Sequence, residues 1–68
     1  MKVQEVKGRM TAKGVEAEKM AKKLNMNPST FYRKMKKGGV NFTLGDLLVF
    51  KEVLEMSNEE AIELLILS

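Results

Sequence analysis

An all-α fold, a compact bundle of about five short helices, is predicted by three features of this 68-residue chain. Apolar residues recur at spacings of three and four from end to end. Residues that stop and start helices fall between the apolar runs. No alternating strand pattern competes, because Val40-Asn41-Phe42-Thr43, a β-like run, is too short to form a sheet by itself.

Val3, Val6 and Met10 mark one face of a first helix ending near Lys13, and Gly14 follows in a position that suits positive φ. Gly8, inside this helix, costs about 1 kcal/mol relative to Ala, and the expected return is close approach of another helix. A second helix is predicted from Ala17 to Leu24, with Met20, Ala21 and Leu24 inward and Ala21 small where two helices cross. Asn25 tolerates the left-handed region, and Met26 then turns back to the core. Asn27 is a good N-cap and Pro28 a favoured first residue for a third helix, Pro28 to about Lys36. Phe31 and Met35 form its buried stripe, and Gly38-Gly39 ends it. Thr43 and Asp46, a near variant of the capping box, open a fourth helix that runs to about Glu55 with Leu47, Phe50, Val53 and Leu54 inward. Ser57 and Glu60 make a full capping box for a last helix from Asn58 to about Ile66.

Composition narrows the function. The length allows one domain, residues 1–68, with a single small core that is marginal alone. The chain has no cysteine and no histidine. Disulfides and thiolate or imidazole metal sites are therefore excluded, along with the commonest general base. No nucleophile–base pair is present, so Thr43 and Ser57 read as caps, and an enzyme is not expected. The six methionines read as core filler or initiator. No stretch is long and apolar enough to span a membrane, and Met1 to Glu5 lack the apolar core of a signal peptide. A cytoplasmic protein without metal or cofactor is expected.

The charge is split. From Lys7 to Lys37 there are ten Lys/Arg and two Asp/Glu, a net of +8. From Gly38 to Ser68 there is one Lys against six Asp/Glu, a net of −5. A basic front of this kind suits a polyanion. It falls on two short helices joined by a tight turn, a helix-turn-helix over about residues 17–36, whose second member can lie in a DNA major groove.

At about 100° per residue, Phe31 and Met35 fix the core direction, and Ser29, Arg33 and Lys36 fall roughly opposite with Tyr32 on the flank. Arg33 can donate two parallel hydrogen bonds to guanine. Ser29, Tyr32 and Arg33 are the expected base readers. Thr30 and Lys36 are expected at a base or a phosphate, and Lys19, Lys22, Lys23, Lys34 and Lys37 at phosphates. Against this stands the plain reading of lysines as solvated surface and of Tyr32 as an edge packing residue. Glu59, Glu60 and Glu63 read most simply as a solvated acidic face that suits a helix N-terminus.

The run from Gly14 to Met35, GVEAEKMAKKLNMNPSTFYRKM, resembles the helix-turn-helix of the lambda-repressor-like, or Cro/repressor-type, family, and most of all its small phage-borne members. Phe42-Thr43, Lys51 to Leu54 and Ser57 to Glu60 are similar to its fourth and fifth helices. The resemblance covers nearly the whole chain. It implies a five-helix domain that reads a partly palindromic operator as a dimer with its third helix. Departures are visible. Glu16 and Ala17 stand where the family commonly has a Ser or Thr cap followed by Gln, so the phosphate contact of that Gln is lost. Asn25 replaces the turn glycine, Pro28 a base-reading polar residue, and Lys34 an apolar one.

The back of the chain is apolar. Leu44, Leu48 and Val49 lie outside the inward stripe of the fourth helix, and Ala61 to Leu67 is apolar nearly all round. A terminal helix folded over the core is one reading. A symmetric dimer contact through Leu48, Val49, Leu64, Ile66 and Leu67 is another. Two function classes follow: a Cro-type transcriptional repressor of a phage or prophage, and a protein-interaction module on the same fold acting as an antirepressor or modulator.

Overall fold

Why the chain turns where it does is visible at its helix ends. In the computed structural model, which describes residues 1–67, five α-helices follow one another: α1 (Val3–Ala12), α2 (Ala17–Lys23), α3 (Pro28–Lys36), α4 (Leu44–Val53) and α5 (Asn58–Ala61). The first four end in one way. Gly14, Asn25, Gly38 and Glu55 take φ values of 68°, 56°, 81° and 53°. In each case the next residue's amide donates back to the carbonyl five positions earlier: Val15 to Met10, Met26 to Ala21, Gly39 to Lys34 and Met56 to Lys51, at 2.8–3.0 Å. This is the Schellman closure, which satisfies carbonyls that the helix leaves open and throws the following side chain inward. Val15 and Met56 are accordingly buried, and Met26 packs half-buried against the core.

The helix starts are equally local. The Asn27 side chain accepts from the Ser29 amide at 2.9 Å, with Pro28 as the first residue of α3. Thr43 with Asp46, and Ser57 with Glu60, form reciprocal capping boxes at α4 and α5.

α5 continues as a wider turn, Ile62–Ile66, closed by a π-type bond from the Leu67 amide to the Ile62 carbonyl at 2.9 Å. Sequence periodicity predicts one uninterrupted α-helix here. The spacing of Ala61 and Leu65, both buried, fits either geometry, so the pattern of inward residues does not report the widening.

The core is built around Phe31, Phe42 and Phe50, whose ring centroids lie 5.1–6.2 Å apart, with Val6, Met20, Ala21, Leu54 and Leu65 closing it. α2 packs on α3, α4 touches α2 and α5, and α1 lies against the wide C-terminal turn. The Lys2 amide donates to the Leu64 carbonyl at 2.8 Å, tying the two ends of the described chain together.

Three expectations are corrected. Gly8 faces open space, with no neighbouring atom within 4 Å of where a Cβ would sit, so no helix approaches it. Close approach is instead at Gly39, where a Cβ would meet the Met1 sulfur at 2.8 Å and φ is +73°. The acids of the last helix are more than a solvated face: Arg9 bonds Glu60 and Lys2 reaches Glu63 at 3.4 Å. Leu47 and Val53, expected inward, are only half-buried, as are Val49 and Leu64.

Candidate nucleic-acid interface

α2, a four-residue turn (24–27) and α3 form the helix-turn-helix. Its inner side is apolar, from Met20, Ala21, Leu24, Phe31 and Met35. Its outer side carries the cations. Lys19, Lys22 and Lys23 are exposed on α2, and Arg33, Lys36 and Lys37 are exposed at the C-terminal half of α3 and its cap.

Salt bridges sort the charges. Arg9 pairs with Glu60, Lys13 with Glu55 at 3.1 Å and Lys2 with Glu63 at 3.4 Å. All three join a cation at or near α1 to an acid of the C-terminal half. Among the described residues, no carboxylate is salt-bridged to a cation of α2 or α3. The acidic half therefore compensates α1 and leaves the helix-turn-helix positive. The Glu60 carboxyl is held below its ordinary value chiefly by the hydrogen bond from Arg9, with help from the Ser57 backbone.

The expected base readers differ in readiness. Arg33 is exposed and makes no side-chain hydrogen bond or salt bridge among the described residues. Tyr32 is 59% exposed and meets Phe31 edge-on, so its ring leans on the core while much of it stays open. Ser29 is exposed, but its hydroxyl donates to Asn27 Oδ1 at 2.8 Å, so a base or phosphate must either accept that arrangement or displace it. Thr30 is half-buried.

Lys34 is placed otherwise. Its Nζ donates to the Asn41 carbonyl at 3.3 Å and lies 5.7 Å from the Phe42 ring centroid. The side chain thus covers an aromatic of the core and holds the loop between α3 and α4. Sequence reading missed this bond because nothing in the spacing of Lys34 and Asn41 announces it. Glu16 is the N-cap of α2 with extended backbone and makes no side-chain cap bond, so the start of α2 is unlatched.

The expected dimer contacts fall into two groups. Leu48, Ile66 and Leu67 are largely exposed, together with Val40, Leu44 and Ile62. Val49 and Leu64 pack partly against the core.

A helix-turn-helix with a positive outer side and an apolar inner side is the class that fold and surface define. Residues 17–38 match the family model described as Bacterial regulatory protein, Fis family. The match covers the motif and less than half of the chain. It supports a bacterial helix-turn-helix DNA-binding domain and a DNA-binding regulator in general, and does not single out the lambda-repressor type. No curated protein and no solved structure matches the chain. No helix among the described residues is long and apolar enough to cross a membrane.

Proposed function

We propose that this protein is a sequence-specific double-stranded-DNA-binding transcriptional regulator of the Cro type, a phage or prophage repressor in the bacterial cytoplasm. In this reading α3 enters the major groove, Arg33 and Tyr32 read base edges, and Lys36 and Thr30 meet a base or phosphate. Ser29 contributes once its hydroxyl turns from Asn27. Lys19, Lys22, Lys23 and Lys37 hold phosphates, and Lys34 joins them only by releasing Asn41. Two copies meet through Leu48, Ile66 and Leu67, flanked by Val49 and Leu64, and span two half-sites of a partly palindromic operator. The protein has no catalytic role.

The observation that carries the reading is the sorting of charge: the C-terminal acids engage Lys2, Arg9 and Lys13, and leave the helix-turn-helix cations to a polyanion. Salt titration of duplex binding tests it. Six phosphate contacts imply a loss of about 10³-fold in affinity between roughly 50 and 200 mM salt. Neutralising Lys22 and Lys23 together should lower the slope of log affinity against log salt by about 2. A salt-insensitive association, or none, would turn the reading to its rival, a module that binds another regulator. That rival draws on the exposed apolar side chains of Leu44, Leu48, Ile62, Ile66 and Leu67.

A further inference from the structure

A groove of about 810 Å³ opens beside the reading helix, between the second half of α1, the start of α2 and one side of α3. Its apolar lining includes Met10, Phe31, Tyr32 and Met35. It is open because Gly14 and Ala17, which also line it, bring almost no side chain into the space. Its volume lies within the range usual for small-molecule sites, which are mostly apolar with a few polar anchors. The anchors here are cationic: Lys7, one turn before Met10, and Lys36, next to Met35. Both are exposed, and neither is in a salt bridge among the described residues. The lining also includes one acid, Glu16, at the start of α2.

Charge and lining together select the occupant. A neutral hydrocarbon would leave both lysines unused, and an amphipathic cation would meet two like charges. A phosphodiester strand finds few donors on the apolar walls. An apolar tail ending in a single anionic head satisfies both features: the tail withdraws its own surface from water against the exposed Tyr32 ring, over a floor of the buried Met10, Phe31 and Met35, and the head takes a charge-assisted bond from a lysine. We infer that this groove binds a medium-chain carboxylate. Tyr32 and Lys36 belong both to the groove and to the proposed DNA face. Resting on that DNA-binding reading, occupation of the groove opposes operator binding, which makes the protein an effector-responsive regulator.

Amide chemical-shift mapping on the full chain without DNA tests the binding claim, with decanoate, decanol and decyltrimethylammonium as probes. Saturable shifts are expected at Gly14, Ala17 and Tyr32, with decanoate at least about tenfold tighter than the other two, the scale of one charge-assisted contact. The K7Q/K36Q double variant should remove that preference, and A17M, which fills the groove, should weaken all three probes. If A17M fails to fold, the surface double variant alone decides. Equal binding of the three head groups, no saturable shift at the groove, or shifts centred on Leu44, Leu48 and Ile66 would overturn the proposal. Because DNA is absent, failure of duplex binding leaves this outcome untouched. Release of bound duplex by decanoate from the wild type, and not from A17M, tests the coupling separately; release that persists in A17M contradicts it.

Discussion

At the residue scale, Gly8 has no structural task in this fold. It lies within α1, exposed, with open space where a Cβ would stand. Gly8→Ala should therefore raise the unfolding free energy by about 1 kcal/mol, the difference in helix propensity, measurable by urea denaturation. The Glu60 carboxyl makes a second prediction. Arg9 and the Ser57 backbone hold it below the ordinary value of 4.5. A depressed folded-state value means the unfolded chain takes up the proton first as acid is added. The stabilisation is thus fully present above 4.5 and fades as the pH falls below it toward the folded value. The stability difference between wild type and Arg9→Gln should narrow over that acidic window and stay flat near neutrality. A pH series of thermal melts checks this, and a gap unchanged into strong acid would contradict it.

Elements show which parts of the fold were readable from sequence. The caps were, because each is a short-range chemical device: Asn27-Pro28, Thr43 with Asp46, Ser57 with Glu60, and the left-handed residues Gly14, Asn25 and Gly38. Asn27→Ala should accordingly cost about 1 kcal/mol by removing the acceptor for the Ser29 amide, and it also frees the Ser29 hydroxyl. Denaturation measures the first effect and duplex affinity the second. Glu55 was not readable as a left-handed residue, since Glu carries no preference for that region, and it occurs at φ 53° with its side chain toward Lys13. Val15 and Phe42 were missed as core for a related reason. Each stands in a connection, without periodic partners, and its burial follows from the turn that precedes it or from the aromatic cluster it joins. The widening at Ile62–Ile66 was invisible because inward residues recur alike in both helix types.

For the whole molecule, the split of charge along the chain was legible, but its consequence was not. Sequence separates a basic half from an acidic one. Only the fold shows that Glu55, Glu60 and Glu63 meet Lys13, Arg9 and Lys2, so that among the described residues no salt bridge reaches α2 or α3. The candidate reading surface was largely legible, since helical phase places Arg33, Lys36 and Tyr32 outward as observed. The engagement of Lys34 with Asn41 and Phe42 depends on how a loop returns, which spacing does not encode. The same holds for the groove between α1 and α3, which arises from residues far apart in the chain. Selection of duplexes from a random-sequence pool by the purified protein, beside Arg33→Ala, is the decisive experiment for sequence-specific DNA binding. Enrichment of a partly palindromic site by the wild type is expected, lost or relaxed at one base position in the variant, at a cost of about 1–3 kcal/mol. Absence of any enriched site with the folded wild type, or the same site and affinity with Arg33→Ala, would contradict that expectation.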